Sequence, residues 1–121
     1  AGLLEFVAAT SGNAPSIVMG DFNAETTAPE LQGLSARFAE AYAALHPQER
    51  TDPKARSTLN LAYFAPRHID QVFLQRDAFE PIRARIILNQ AGPEGAWPSD
   101  HYGVHVRLRW PSSRLANGAQ P

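Results

Sequence analysis

Ser16–Glu25, read SIVMGDFNAE, is the stretch from which the fold can be worked outward. Ser16 to Gly20 has the make-up of a short buried β-strand: Ile17, Val18 and Met19 are large and apolar, with Pro15 before them and Gly20 after. The character then reverses. Asp21, Asn23 and Glu25 put three polar groups within five residues, directly off the end of the strand. Strand ends of this kind hold working residues well, because the strand fixes position and the following loop leaves room for a ligand. Gly20 lacks a Cβ, so a ligand or another segment can come close to the backbone there. Gly-Asp-x-Asn is also ordinary turn chemistry, and the stretch alone leaves both readings open.

The chain has 121 residues, of which 44% are apolar, enough for one globular domain with its own core. No apolar run approaches the length of a membrane-spanning helix. The opening residues AGLLEFVAAT read as the middle or end of an amphipathic helix and not as a signal segment, so the numbering is expected to begin inside a larger protein. There is no cysteine, which excludes disulfides and thiolate chemistry. Any metal must be held by carboxylate, imidazole or amide oxygen, which favours hard cations such as Mg²⁺, Mn²⁺ or Ca²⁺. The formal net charge of -1 provides no electrostatic footprint for nucleic acid as the main partner, although a local basic patch would suffice.

Outward from the opening stretch, Leu3, Leu4 and Val7 lie at helical spacing, and Gly12 and Pro15 end that helix. Thr27 and Glu30 have the spacing of a capping box, which predicts a short helix starting there. A second helix is expected from Ala36 to Leu45, with Phe38, Tyr42 and Leu45 on one face and Pro47 as the stop. Gln48 to Ser57 reads as a solvated polar loop, or as a basic loop facing phosphate through Arg50, Lys54 and Arg56. Thr58 to Phe64 is expected to hold a short strand, and His68 to Leu74, HIDQVFL, a longer one with Asp70 on the face of Val72 and Leu74. Ile82 to Leu88 and Gly103 to Trp110 alternate cleanly and predict two more strands, the second with Val104, Val106, Leu108 and Trp110 facing in. Asn89 to Ser99 is rich in turn formers. The segment 111–121 is expected to be a disordered tail after a domain spanning 1–110. Short loops between the late strands favour antiparallel neighbours, so the class is α+β.

Three polar clusters stand at strand ends or inside apolar strands: Asp21 with Asn23, Asp70 within HIDQVFL, and Asp100-His101 before the last strand. Each is unremarkable by itself as a turn or surface residue. An ionised Asp70 on a partly buried face needs a partner, and together the clusters supply two carboxylates, an amide and a carboxylate–imidazole pair.

In this order the clusters resemble the endonuclease/exonuclease/phosphatase superfamily, with its DNase-I-like fold. Gly20-Asp21-Phe22-Asn23 matches the family's Gly-Asp-Phe-Asn motif in full, Ile69-Asp70 its Ile-Asp strand, and Ser99-Asp100-His101 its Ser-Asp-His motif ahead of a strand. The resemblance covers Ile17 to about Trp110. It implies the C-terminal half of a four-layer α/β/β/α sandwich with mostly antiparallel strands, acting as a Mg²⁺ (or Mn²⁺) dependent hydrolase of phosphoester bonds, of nuclease or phosphodiesterase type. Substrates in the family range over nucleic acid, phospholipid and small phosphate esters. On the family's pattern Asp21 orients or deprotonates the attacking water, and Asn23 bonds a non-bridging phosphate oxygen. Asp100 helps to bind the metal. His101 contacts the phosphoryl group, and Asp70 holds the His101 imidazole.

The departures are His68 before the Ile-Asp pair, where the family often has Arg, and Gln71 after it, where the family often has Tyr. The family's N-terminal half, which supplies an early Asn, the main Glu metal ligand and a further His, has no counterpart here. Glu25 is the one residue near enough in sequence to stand in for that Glu. The resemblance thus implies an enzyme when intact and an inactive chain when isolated. The alternative is a truncated, catalytically inactive fragment acting as a binding or assembly module.

Overall fold

The computed structural model describes residues 2–110, and the expected disordered tail over 111–121 lies outside them. The described residues form an α+β fold with antiparallel strands. Helix α1 (Gly2–Ser11) ends at Gly12, whose φ of 58° is the left-handed turn that glycine adopts without strain. Strand β1 (Ile17–Asp21) follows. After the polar loop come a 3₁₀ turn (Pro29–Leu31), α2 (Gln32–Arg37), β2 (Phe38–Glu40) and α3 (Ala41–Leu45). A second 3₁₀ turn (Pro47–Glu49) and α4 (Pro53–Arg56) lead to β3 (Asp70–Gln75), β4 (Glu80–Ile87) and β5 (Gly103–Arg109).

The strands make two sheets, one of three strands in the order β1-β3-β2 and one of two, β4-β5, all pairs antiparallel. In the first sheet Val18 and Phe73 point to one face, where Phe73 joins Leu31, Leu34 and Phe38 in the buried core and Leu4 and Val7 of α1 pack against it. Ile17, Met19 and Asp21 point to the other face, opposite Leu74, Val72 and Asp70. Residues of α1 and α2 therefore pack on one side of the sheet, and the acidic residues stand at one end of its other side.

Several expectations are corrected. The first strand is not buried: it is an edge strand, with Ile17 42% and Met19 71% exposed, because only one of its edges is paired, to β3, and the cover that encloses Leu74 on the face they share does not extend over Ile17 and Met19. Thr27 is not a helix cap. Proline forces the residue before it into extended backbone, so the turn begins at Pro29 and its cap position falls on Ala28, which has no side chain to cap with. The single helix expected over 36–45 is split by β2, whose three residues pair with Gln75, Leu74 and Phe73, so tertiary pairing overrides helix propensity. The polar loop over 48–57 contains α4, capped by Asp52, whose carboxylate accepts from the Ala55 amide. The strand expected over 58–64 reduces to one bridge, Leu59 to His101. β3 and β4, joined by only four residues, lie in different sheets instead of pairing. Trp110 falls just past β5, half-exposed, with its ring 5.6 Å from that of Phe79.

Candidate active site

The site forms where β1 and β3 end together. Asp21 and Asp70 are register partners on adjacent antiparallel strands, so the ladder sets their backbones side by side with both side chains on the same face. The chain reverses after Asp21: the Asn23 amide donates to Asp21 Oδ1 at 2.8 Å, and Asn23 sits at φ 52°, a left-handed position that asparagine tolerates. Gly20, at φ 145°, occupies backbone that side-chain-bearing residues rarely adopt. Between the two polar residues Phe22 turns inward and meets Phe73 edge-on, ring centres 5.3 Å apart. The loop is thus anchored by one aromatic ring while Asp21 and Asn23 remain exposed.

His101 arrives from the far end of the sequence. The bridge to Leu59 brings it to the start of β3, where its Nδ1 lies 2.8 Å from Asp70 Oδ2. The hydrogen bond to Asp70 raises the His101 pKa above its ordinary value; desolvation opposes the shift, and the charges of Asp70, Asp21 and Asp100 add to it. The carboxylate also fixes the ring's orientation and leaves Nε2 free of that bond. Asp21, Asp70 and His101 each offer one ligand atom, and these atoms lie within 4.8 Å of one another. Two carboxylates and an imidazole within that span form a group that can hold a divalent metal ion. A cleft of about 410 Å³ opens beside them, lined by Met19, Asp21, Asp70, Val72, Tyr102 and Val104.

Asp100 stands outside the group of three. It is exposed, its carbonyl accepts from the Asn60 amide at 2.9 Å, and its charge reaches His101 through space. Glu25 is not at the site. Its carboxylate accepts from the His68 amide at 2.8 Å and pairs with Arg56 at 3.1 Å, so it ties α4 to the strand entry. Arg67 reaches the loop, its Nη2 donating to the Asn23 carbonyl at 3.4 Å.

Sequence reasoning missed the buried polar residues that hold this arrangement. His68 and Gln71, the two departures from the family pattern, are both fully enclosed. Gln71 donates to the carbonyls of Ala24 and His68 and accepts from the Thr26 hydroxyl, pinning the far side of the Asp21–Asn23 loop. His68 Nδ1 donates to the Arg56 carbonyl, and its Nε2 lies 3.2 Å from Glu40 Oε1, with both side chains almost wholly buried. The signal was present in HIDQVFL: alternation puts Gln71 on the face of Phe73, where a polar residue must be bonded.

A family model described as "Endonuclease/Exonuclease/phosphatase family" matches residues 2–101. No curated protein matches the chain. Among solved structures, the crystal structure of a functionally unknown conserved protein from Enterococcus faecalis V583 is similar in fold, with a TM-score of 0.66 at 20% identity. That match covers 90% of this chain and 42% of the other, so the chain spans less than half the length of that relative. Among the described residues no helix is long and apolar enough to cross a membrane.

Proposed function

Because this chain belongs to the endonuclease/exonuclease/phosphatase family, whose members act on phosphoesters, we propose that it forms the C-terminal half of a Mg²⁺- or Mn²⁺-dependent phosphoester hydrolase domain of nuclease or phosphodiesterase type. The observation that carries the reading is the Asp70–His101 bond of 2.8 Å, with a ligand atom of Asp21 within 4.8 Å. Phosphoryl transfer needs charge stabilisation on the equatorial oxygens and an oriented nucleophile. His101, held by Asp70 and favoured as the cation, donates from Nε2 to a phosphoryl oxygen. Asp21 accepts a proton from the attacking water or orients it. Asn23, exposed on its turn, donates to a non-bridging oxygen, and Arg67 beside it adds positive charge to the approach. A bound divalent cation would neutralise phosphoryl charge, with Asp21 and Asp70 as nearby oxygens and Asp100 helping to hold it directly or through water.

The half-domain reading draws support from the exposed apolar side chains of β1. Ile17 and Met19 are exposed beside the acidic cluster, on the face turned away from α1 and α2, and a second layer of the domain would bury them. That layer is expected to bring the principal Glu metal ligand, an Asn and a further His. In the intact protein, Asp21→Asn and His101→Ala should each lower turnover by several orders of magnitude while leaving the fold in place. Failure of the wild type, with Mg²⁺ present, to cleave any diester or monoester in a broad phosphoester panel overturns the hydrolase reading. Metal-dependent turnover by residues 1–121 alone overturns the half-domain reading.

A further inference from the structure

We propose that Thr58 and Asn60 are positioning residues that hold the two members of the Asp70–His101 pair in register, Thr58 through the backbone amides of Ile69 and Asp70, and Asn60 through the carbonyls of Ser99 and Asp100. The proposal rests on the hydrolase reading for its catalytic consequence, but its geometry stands alone.

Asp70 and His101 are 31 residues apart; Asp70 opens β3, whereas His101 lies ahead of β5, outside both sheets. What joins them is the short segment Ser57–Asn60, all four residues of which are buried. Thr58, at 0% exposure, uses every hydrogen-bonding group it has. Its Oγ1 accepts from the Ile69 amide at 3.0 Å and from the Asp70 amide at 3.1 Å, and its hydroxyl hydrogen points to the Arg67 carbonyl at 3.4 Å. Its own amide donates to that carbonyl at 2.8 Å, and its carbonyl accepts from the Tyr102 amide at 2.7 Å. One residue therefore grips the backbone of Asp70 on one side and of the residue after His101 on the other. Successive amides of a regular strand point to opposite edges, so their convergence on one oxygen marks a bend at the entry to β3. That bend is where Asp70 begins.

Asn60, also at 0% exposure, does the same for the other partner. Its amide donates to the Asp100 carbonyl at 2.9 Å and its Nδ2 to the Ser99 carbonyl at 3.1 Å, while its Oδ1 accepts from the Ala62 amide at 2.8 Å. Between Thr58 and Asn60, Leu59 bridges to His101. No other residue type of Thr58's size both fills its site and accepts from two amides: valine has the shape and no acceptor, and serine keeps the oxygen.

The test combines amide hydrogen exchange on the chain with steady-state kinetics on the intact protein. In Thr58→Val the Ile69 and Asp70 amides should exchange at least fivefold faster relative to those of Phe73 and Leu74 in the same strand. Turnover should fall at least tenfold with KM within twofold of wild type, and Thr58→Ser should restore both. Asn60→Asp keeps the oxygen that Ala62 uses and loses the donor to Ser99; it should lower kcat in the same way, and it serves if Thr58→Val does not fold. In an Asp70→Ala background neither substitution should lower kcat further, because each acts through the pair. Unchanged relative exchange in Thr58→Val, wild-type kcat in either variant, or full additivity with Asp70→Ala overturns the proposal. Faster exchange at the two amides in a protein that hydrolyses nothing supports the clamp and overturns the hydrolase reading instead.

Discussion

Replacing Glu40 with alanine removes a carboxylate that accepts from two backbone amides and faces the buried His68 ring. Oε1 accepts from the Ala43 amide at 2.9 Å, capping α3, and faces His68 Nε2 at 3.2 Å; Oε2 accepts from the Val72 amide at 3.1 Å. The side chain is 1% exposed and that of His68 0%, so water cannot take the carboxylate's place without a rearrangement of the core. A buried donor left unpaired costs about 1–3 kcal/mol, so losing the acceptor of two amides and the contact with His68 costs about 3–5 kcal/mol together. The lost cap, about 1 kcal/mol by itself, is not added, because it belongs to the same network. Domains of this kind have total stabilities of about 5–15 kcal/mol, so the loss is a large share. Urea unfolding followed by circular dichroism measures it: with a slope of about 1.5 kcal/mol per molar, the midpoint should fall by about 2–3 M. Glu40→Gln keeps one acceptor oxygen and should lose less, about 1–3 kcal/mol. A midpoint for Glu40→Ala within about 0.5 M of wild type would refute the reasoning, since it would mean that the buried carboxylate contributes almost nothing.

Phe73→Ala should destabilise by about 3–5 kcal/mol in the same assay, because a fully buried ring at the centre of the core leaves a cavity, and the loop carrying Asp21 and Asn23 loses the ring against which Phe22 packs. Gly20→Ala meets no steric neighbour, so its cost, about 1–3 kcal/mol of backbone strain from φ 145°, should appear in the urea midpoint without a cavity, and a wild-type midpoint would count against it. His101, with its pKa raised chiefly by the bond to Asp70, contributes stability that is fully present below its unfolded value of 6.5 and is lost as pH rises through the higher folded value. Asp70→Asn should flatten that fall in metal-free urea titrations above pH 6.5, and an unchanged pH profile would contradict the pairing. In the intact protein, chelation should abolish phosphoester hydrolysis and added Mg²⁺ or Mn²⁺ restore it; turnover that survives chelation would remove the metal from the proposed mechanism.

The α+β class, the helix ending at Gly12, the strand feeding Asp21 and the alternating strand over 103–109 were all legible in the sequence, because each follows from local patterns of apolar spacing and turn residues. That Asp70 holds the His101 imidazole was an expectation carried by the family resemblance alone; the structure sets the two 2.8 Å apart. No local rule connects residues 31 apart. The tertiary structure decided what local pattern cannot carry: that Phe38–Glu40 leaves a helical stretch to pair with β3, and that Glu25 turns away from the site to meet His68 and Arg56. It also decided that His68, Gln71, Thr58 and Asn60 are enclosed. A polar side chain in a sequence is equally consistent with solvent and with a bonded interior, and the difference depends on which distant donors and acceptors the fold brings within 3 Å or so of it. At Thr58 those were the amides of Ile69 and Asp70, supplied by a strand entry about ten residues further along the chain.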